Sequence, residues 1–338
     1  MRSCFAACTV RSVMNAQKNI ITIGGGTGTF VVLSGLKHLP NVSLSAIVSV
    51  ADDGGSTGRL RDAYGFLPVG DARQALVALA GDNGESALRS LFMHRFSKGD
   101  IQGHNFGNLF LTALTEILGS DVAAIEAASK ILQVRGRVLP ASETAPTLIA
   151  RLEDGTTVVG EHNIDMPAPD RAPITELATE KSTPAYHGAL DAISGADLII
   201  LGPGDLYASV AANLVVHGIK EAIVASPAKL AYIVNLFSKS GQTDGYTASQ
   251  CVKEITRYAG RAPDYVIMNS GAIPESAVTH YAREREYPTV DDLGNSPGVV
   301  RSNIVSATLL KGDATDPIQR SLVRHNPEKI ATIIQTLL

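Results

Sequence analysis

The chain has 338 residues, 45% of them hydrophobic and 18% charged, with 31 glycines and a formal net charge of −4. This is the composition of a glycine-rich α/β protein with a well-buried core, not of a disordered chain. The charge balance excludes the broad basic face that nucleic acid demands, and no apolar run is long enough for a membrane span. Cys4, Cys8 and Cys251 form no zinc-ligand pattern, and a reducing cytoplasm is the expected compartment. Residues 1–18 carry little structural signal. Arg2 and Arg11 flank an apolar stretch too short and interrupted for a secretion signal, so a disordered tail is expected ahead of a domain covering 19–338.

The first readable unit runs from Asn19 to Asp53. A short β-branched strand at 20–23 meets Gly24-Gly25-Gly26-Thr27-Gly28-Thr29 and then an apolar helix. A second apolar run, Val42 to Val50, ends in Asp52-Asp53. The glycines let the backbone turn sharply and approach a ligand. The helix start aims unpaired N–H groups and the positive dipole end at an anion. Gly24, Gly26 and Gly28 match the first half of a dinucleotide fingerprint, but Thr29 stands in place of its third glycine. That weakens an NAD-dependent oxidoreductase reading. No lysine follows Gly28, which excludes the P-loop of NTPases.

Next comes the densest polar cluster of the chain, Asp52-Asp53-Gly54-Gly55-Ser56-Thr57-Gly58-Arg59-Leu60-Arg61. Acids at the carboxyl end of a strand can hold a ribose hydroxyl or Mg²⁺, and arginines fork onto phosphate. The bland alternative is a polar turn whose Asp52 caps a helix. Asp71 has the look of an N-cap for a helix that begins at Gly70. His104 and Asn105 precede an apolar helix over about 106–118, and another helix is expected over 121–132.

From residue 134 the pattern changes to short β-like runs at 134–139, 147–152 and 156–159, with Asp154-Gly155 as a hairpin signal. We read 134–180 as a small β-rich insertion on the α/β core. A helix over 185–194 and a strand at 197–201 then lead into Gly202-Pro203-Gly204-Asp205, a second strand–glycine–helix unit. The remaining expectations are a strand at 222–225, an extended run at 232–237, a helix over 248–259, a strand at 265–269, a helix over 275–285, a strand near 303–310 and a closing helix over 326–338. Alternation of this kind means a doubly wound, mostly parallel Rossmann-like sheet. Ligands then sit at the carboxyl ends of its strands, where both glycine turns lie.

Taken together, Gly-Gly-Gly-Thr-Gly, Asp-Asp-Gly-Gly-Ser-Thr-Gly-Arg-Leu-Arg, Gly-Asp-Ala-Arg, Gly-His-Asn-Phe-Gly-Asn-Leu and Gly-Pro-Gly-Asp-Leu-Tyr resemble the CofD/YvcK family, in family order over residues 20–210. The resemblance covers nearly all of the chain after Asn19 and leans to the YvcK branch. That branch implies a cytoplasmic regulator that binds UDP-sugars and is needed for cell shape and envelope growth on gluconeogenic carbon. The CofD branch implies a Mg²⁺-dependent 2-phospho-L-lactate transferase. The resemblance places phosphate on Gly24, Gly25, Gly26, Thr27 and Gly28. Asp52, Asp53, Ser56 and Arg59 take the pocket centre, the two acids holding Mg²⁺ in a transferase. Asp71, Arg73, Asn105 and Asn108 face the same cleft, Gly202 and Gly204 form its second wall, and Tyr281 and Arg324 contact the nucleotide sugar. A regulatory protein partner is implied but not named, and a homodimer is left open, since small insertions and edge helices often build isologous contacts. Two departures stand out. Asp205 and Ala208 replace a usual Ser and Thr, and Phe237-Ser238-Lys239-Ser240-Gly241-Gln242-Thr243 replaces Met-Thr-Gln-x-Gly-Glu-Thr. An acid beside a phosphate repels it, so these changes count against transfer chemistry and bear on which nucleotide fits.

Overall fold

The computed structural model describes residues 17–81, 86–168, 170–306 and 323–338. In chain order, β1 (Lys18–Gly24), α1 (Gly26–Leu36) and β2 (Val42–Val48) are followed by five helices: α2 (Gly55–Tyr64), α3 (Gly70–Leu79), α4 (Ser86–Met93), α5 (Phe106–Leu118) and α6 (Asp121–Ile131). Strand β3 (Arg137–Pro140) leads to a small unit made of β4 (Leu148–Leu152), β5 (Thr157–Val159), the short helix α7 (Glu161–Asp165) and β6 (Ile174–Thr179). Then come α8 (His187–Ser194), β7 (Leu198–Leu201), a π-helical segment Leu206–Ala211 continued by α9 (Ala212–Leu214), and α10 (Ile219–Ala225). The chain finishes with β8 (Lys229–Ile233), α11 (Ala248–Ala259), β9 (Tyr265–Asn269), α12 (Glu275–Arg283), β10 (Val299–Ser302) and α13 (Pro327–Leu337).

Seven strands form one parallel sheet in the order β10-β9-β8-β7-β1-β2-β3. Successive side chains of a strand point to opposite faces, and both faces here are apolar. Ile21 and Ile23 of β1, with Ile199 and Leu201 of β7, enter the core shared with α8, α10 and α11. Ile20, Leu198 and Ile200 enter the core shared with α1, α3 and α13. The expected doubly wound sheet is therefore present. A second, antiparallel sheet has the order β5-β4-β6, and Asp154-Gly155 turns β4 into β5 as a hairpin. Its Leu148, Ala150 and Leu177 belong to the first of those two cores, so the insertion is packed onto the main sheet.

Five sequence readings need correction. Residues 137–140 were expected in the insertion but pair parallel with β2, Ile47 opposite Leu139, as the edge of the main sheet. Residues 222–225 are helical: Gly218 N–H donates to the Glu221 carboxylate at 3.1 Å, closing a first turn that the apolar run Ala222–Ala225 then continues. Strand β8 begins at Lys229 and ends at Ile233, not at Phe237. The last strand is at 299–302, residues 303–306 lie beyond its end, and 307–310 lie outside the described residues, as do 1–16. Lys18 already belongs to β1, paired with Val42.

The outer edge of β6 is covered from α11. Leu177 N–H donates to the Tyr258 hydroxyl at 2.8 Å, and Arg257 donates to the Thr175 carbonyl at 2.7 Å. A groove of about 490 Å³ runs along this edge and includes none of the glycine-turn residues in its lining.

Candidate functional site

The chain runs β1, β2, β3 toward one edge of the sheet and β7, β8, β9, β10 toward the other, so strand order reverses between β1 and β7. Both glycine turns project from that point, since Ile23 lies opposite Leu201 in the register. They touch each other: a Cβ on Gly28 would overlap the Pro203 carbonyl. Gly28 thus serves close packing of the two turns, and Gly26, at φ +62°, serves the bend itself.

Each turn presents N–H groups, and each has an acceptor supplied from elsewhere in the chain. Gly26 N–H donates to Asp71 Oδ1 at 2.8 Å. The other carboxylate oxygen lies so close to Gly25 that a Cβ there would collide with it. Asp71 is therefore not the N-cap of α3, which is Val69; its side chain crosses to the start of α1. On the second turn, Gly204 N–H donates to Asn235 Oδ1 at 2.9 Å, and Asn235 Nδ2 donates back to the Gly204 carbonyl at 2.7 Å.

The short helix α7 of the insertion closes over this region. Its N–H at His162 donates to Asp53 Oδ1 at 2.7 Å. Asp52 Oδ1 accepts the Gly54 N–H at 2.9 Å in the turn that leads into α2, but the N-cap of α2 is Gly54, with no side-chain cap, so Asp52 does not cap the helix. Glu161 and Asp165 of α7 join Asp52, Asp71 and Asp205, all half-buried, in one acidic cleft. Burial is the main force on Asp52, Asp71, Glu161 and Asp205, and the repulsion of neighbouring acids adds to it. Asp71 is pushed up to about 7, against the pull of the Gly26 N–H and of Arg73. Asp205 is likewise pushed up to about 7, by burial and then by Asp165. Asp52 is raised and Glu161 is raised well above the usual carboxylate range.

Two of the residues read above as departures, Lys239 and Gln242, lie at this cleft. Lys239 pairs with Glu286, Nζ lying 3.2 Å from Oε1, and the charges of Asp205 and Glu286 raise its pKa against burial. Gln242 Nε2 donates to Asp165 Oδ1 at 3.2 Å. Lys239 thus brings a positive charge to the neighbourhood of Asp205.

The other expected residues are placed as follows. Ser56 Oγ lies 3.2 Å from His104 Nδ1 and accepts the Asn105 N–H at 3.3 Å. Burial, Arg59 and Arg95 lower the pKa of His104. Arg59 donates to the Gln102 carbonyl at 3.3 Å near the surface. Arg73, Asn105 and Asn108 are buried inside the α2–α3–α5 contact. Arg73 Nε donates to Asn108 Oδ1 at 2.9 Å, Asn108 Nδ2 to Thr57 Oγ1 at 3.3 Å, and Asn105 caps α5 by accepting the Gly107 and Asn108 N–H groups. Their bonds are those of a structural network. Thr27, half-buried, is in the first turn of α1. Tyr281 is in a separate cluster with Leu236, Val305 and Val323, its ring 4.3 Å from that of Phe237, and Arg324 follows Val323 there.

Glu161, Asp165 and Asn235 were not singled out from the sequence. Asn235 had a signal, a polar residue just past a buried strand. The acids of α7 had none, because a distance of 109 residues separates Asp53 from His162.

The family profile described as 2-phospho-L-lactate transferase CofD matches residues 20–309. The chain belongs to this family. Within it, the chain is 41% identical to the gluconeogenesis factor of Halalkalibacterium halodurans over 94% of this chain and 96% of that one. It is 39% identical to the gluconeogenesis factor of Bacillus subtilis, covering 96% and 99%. A crystal structure of a Bacillus halodurans protein superposes with a TM-score of 0.85 at 40% identity, over 94% of this chain and 99% of that chain.

The CofD family name carries an expectation of Mg²⁺. Asp52 and Asp53, which each accept one backbone N–H, from Gly54 and from His162, are the residues that would hold it. Among the described residues no three His, Cys, Asp or Glu side chains converge as metal ligands. No helix among them is long and apolar enough to cross a membrane.

Proposed function

We propose that this CofD-family protein is a cytoplasmic regulator that binds a nucleotide sugar, with a UDP-sugar as its ligand. Its output bears on cell shape and envelope growth under gluconeogenic conditions. The observation that carries the reading is the pair of touching glycine turns at the reversal of strand order, the place where open α/β sheets bind dinucleotides and related diphosphates. The relatives named gluconeogenesis factor support the regulatory direction. The diphosphate lies across both turns. The sugar and base extend toward the α12 side, where Tyr281 and Arg324 are assigned. A regulator needs unequal affinity for two conformations, and α7, which closes over the cleft and bonds to Asp53 through its first turn, is the element that changes place.

A thermal-shift panel of UDP-sugars, UDP, GDP and NAD, each with and without Mg²⁺, tests this. Bound ligand raises the melting temperature by mass action. A rise with UDP-sugars that does not need Mg²⁺ is expected. No rise with any nucleotide sugar would sink the proposal.

The family profile itself favours a second reading, phospho-group transfer to an alcohol. A shift confined to GDP with Mg²⁺, followed by product formation on a deazaflavin acceptor, would establish it in place of the first.

A further inference from the structure

Asp71 sits where a bound phosphate is expected. Helix α1 has no acid in its first turn and no side-chain cap, so its leading N–H groups need an acceptor from another element. Asp71 provides one from α3, 45 residues along the chain, at 2.8 Å from the Gly26 nitrogen. Its second oxygen lies flat against Gly25. A further polar group borders the turn: Thr29, only 3% exposed, holds Oγ1 beside Gly24 and makes no hydrogen bond there. The seat therefore contains a carboxylate, a backbone donor and an unused hydroxyl.

We propose that Asp71 is a resident anion which an incoming ligand phosphate must displace from the first glycine turn, and that its charge sets the affinity of the turn for anions; the identity of the ligand, though not the seat, rests on the nucleotide-sugar reading. The carboxylate and a phosphate bid for the same N–H groups and the same helix-dipole end. They also repel each other, so a charged Asp71 weakens binding twice over, by occupying the seat and by facing it. The groups that face Asp71 are known. Asp52 and Asp165 repel its charge, Glu161 on α7 is repelled by it in turn, and Arg73 attracts it. Displaced and charged, Asp71 moves among three other acids. Neutral, it leaves easily. Its carboxyl is already pushed up to about 7 by burial, so the seat opens as the pH falls.

The test uses the whole chain as wild type, Asp71→Asn and Asp71→Glu, titrated in a calorimeter with sodium sulfate and with UDP-glucose. Neither probe changes its own charge between about pH 6 and about pH 8, so any pH dependence belongs to the protein. At about pH 8, Asp71→Asn is expected to bind both anions roughly tenfold more tightly than wild type, and Asp71→Glu, which keeps the charge, is not. Wild-type affinity is expected to climb as pH falls through about 7. The Asn variant keeps only the dependence that Asp52, Glu161 and Asp205, the other raised acids of the cleft, contribute. Weaker or unchanged binding in Asp71→Asn would overturn the proposal and make Asp71 a ligand contact or a structural cap. A sulfate gain in Asp71→Asn with no UDP-glucose binding in any variant would uphold the resident anion and rule out UDP-glucose as the ligand. Absence of binding by both probes in every variant would overturn the seat. If Asp71→Asn does not fold, a flat wild-type sulfate profile across this pH range overturns the proposal and a rising one supports it.

Discussion

The two glycine turns occupy matching places, at the ends of neighbouring parallel strands, and satisfy their backbone donors in opposite ways. The turn after β1 uses a carboxylate, Asp71; the turn after β7 uses a neutral amide, Asn235, which also returns a hydrogen bond to the carbonyl it faces. The difference teaches that an N–H group needs an acceptor but does not dictate its charge. An amide clamps a turn at any pH. A carboxylate among other carboxylates clamps it conditionally, because protonation or a competing anion changes the balance.

The contact between the turns is the first thing to break. In Gly28→Ala the new methyl group meets a backbone carbonyl that has nowhere to move. A loss of about 3 kcal/mol in unfolding free energy by denaturant titration is expected. An unchanged midpoint would mean that the turns do not touch.

Second in size is the pH response of the first turn. Asp71 and Asp205 bind their protons more tightly folded than unfolded, having been pushed up to about 7. The stability this gives is complete below the ordinary carboxylate range of about 4 and is lost as pH rises through the raised value. The melting temperature of the wild type is therefore expected to fall between about pH 5 and about pH 8, and Asp71→Asn to flatten that slope and melt higher at the alkaline end. A slope unaltered by the substitution would locate the titration elsewhere.

Asn235→Ala removes both hydrogen bonds from the second turn. It is expected to cost about 1–2 kcal/mol, the same at either end of that pH range, in contrast to the first turn. The smallest effect belongs to Asp53→Ala, which takes the acceptor from the first turn of α7. Roughly 1 kcal/mol is expected, read best as faster amide exchange confined to 161–165. Uniform acceleration across the sheet would instead mark Asp53 as a global structural residue.

The architecture was legible because its strands are β-branched and buried on both faces, and its helices begin at readable signals such as Asn326-Pro327. What escaped were facts that no local pattern encodes. Whether β3 joins the insertion or the main sheet depends on its pairing with β2, some ninety residues earlier by strand register. The run Ala222–Ala225 has strand composition, and only the Glu221 side chain reaching back to Gly218 marks it as helix. At the site, both glycine turns could be read, but not what fills them. Asp71 had the sequence of a helix cap and became the cap of a different helix. The acids of α7 reach the cleft only through tertiary packing, as does the meeting of Asp205 with Lys239.

One feature lies well away from the cleft. The bare flank of a three-stranded sheet is a template onto which a stranger's backbone can crystallise. Along β6 the groups that such recruitment would need, the Leu177 amide and the Thr175 carbonyl, are already spoken for by Tyr258 and Arg257. At Thr175 and Leu177 a helix has thus closed the ribbon's margin to an incoming strand.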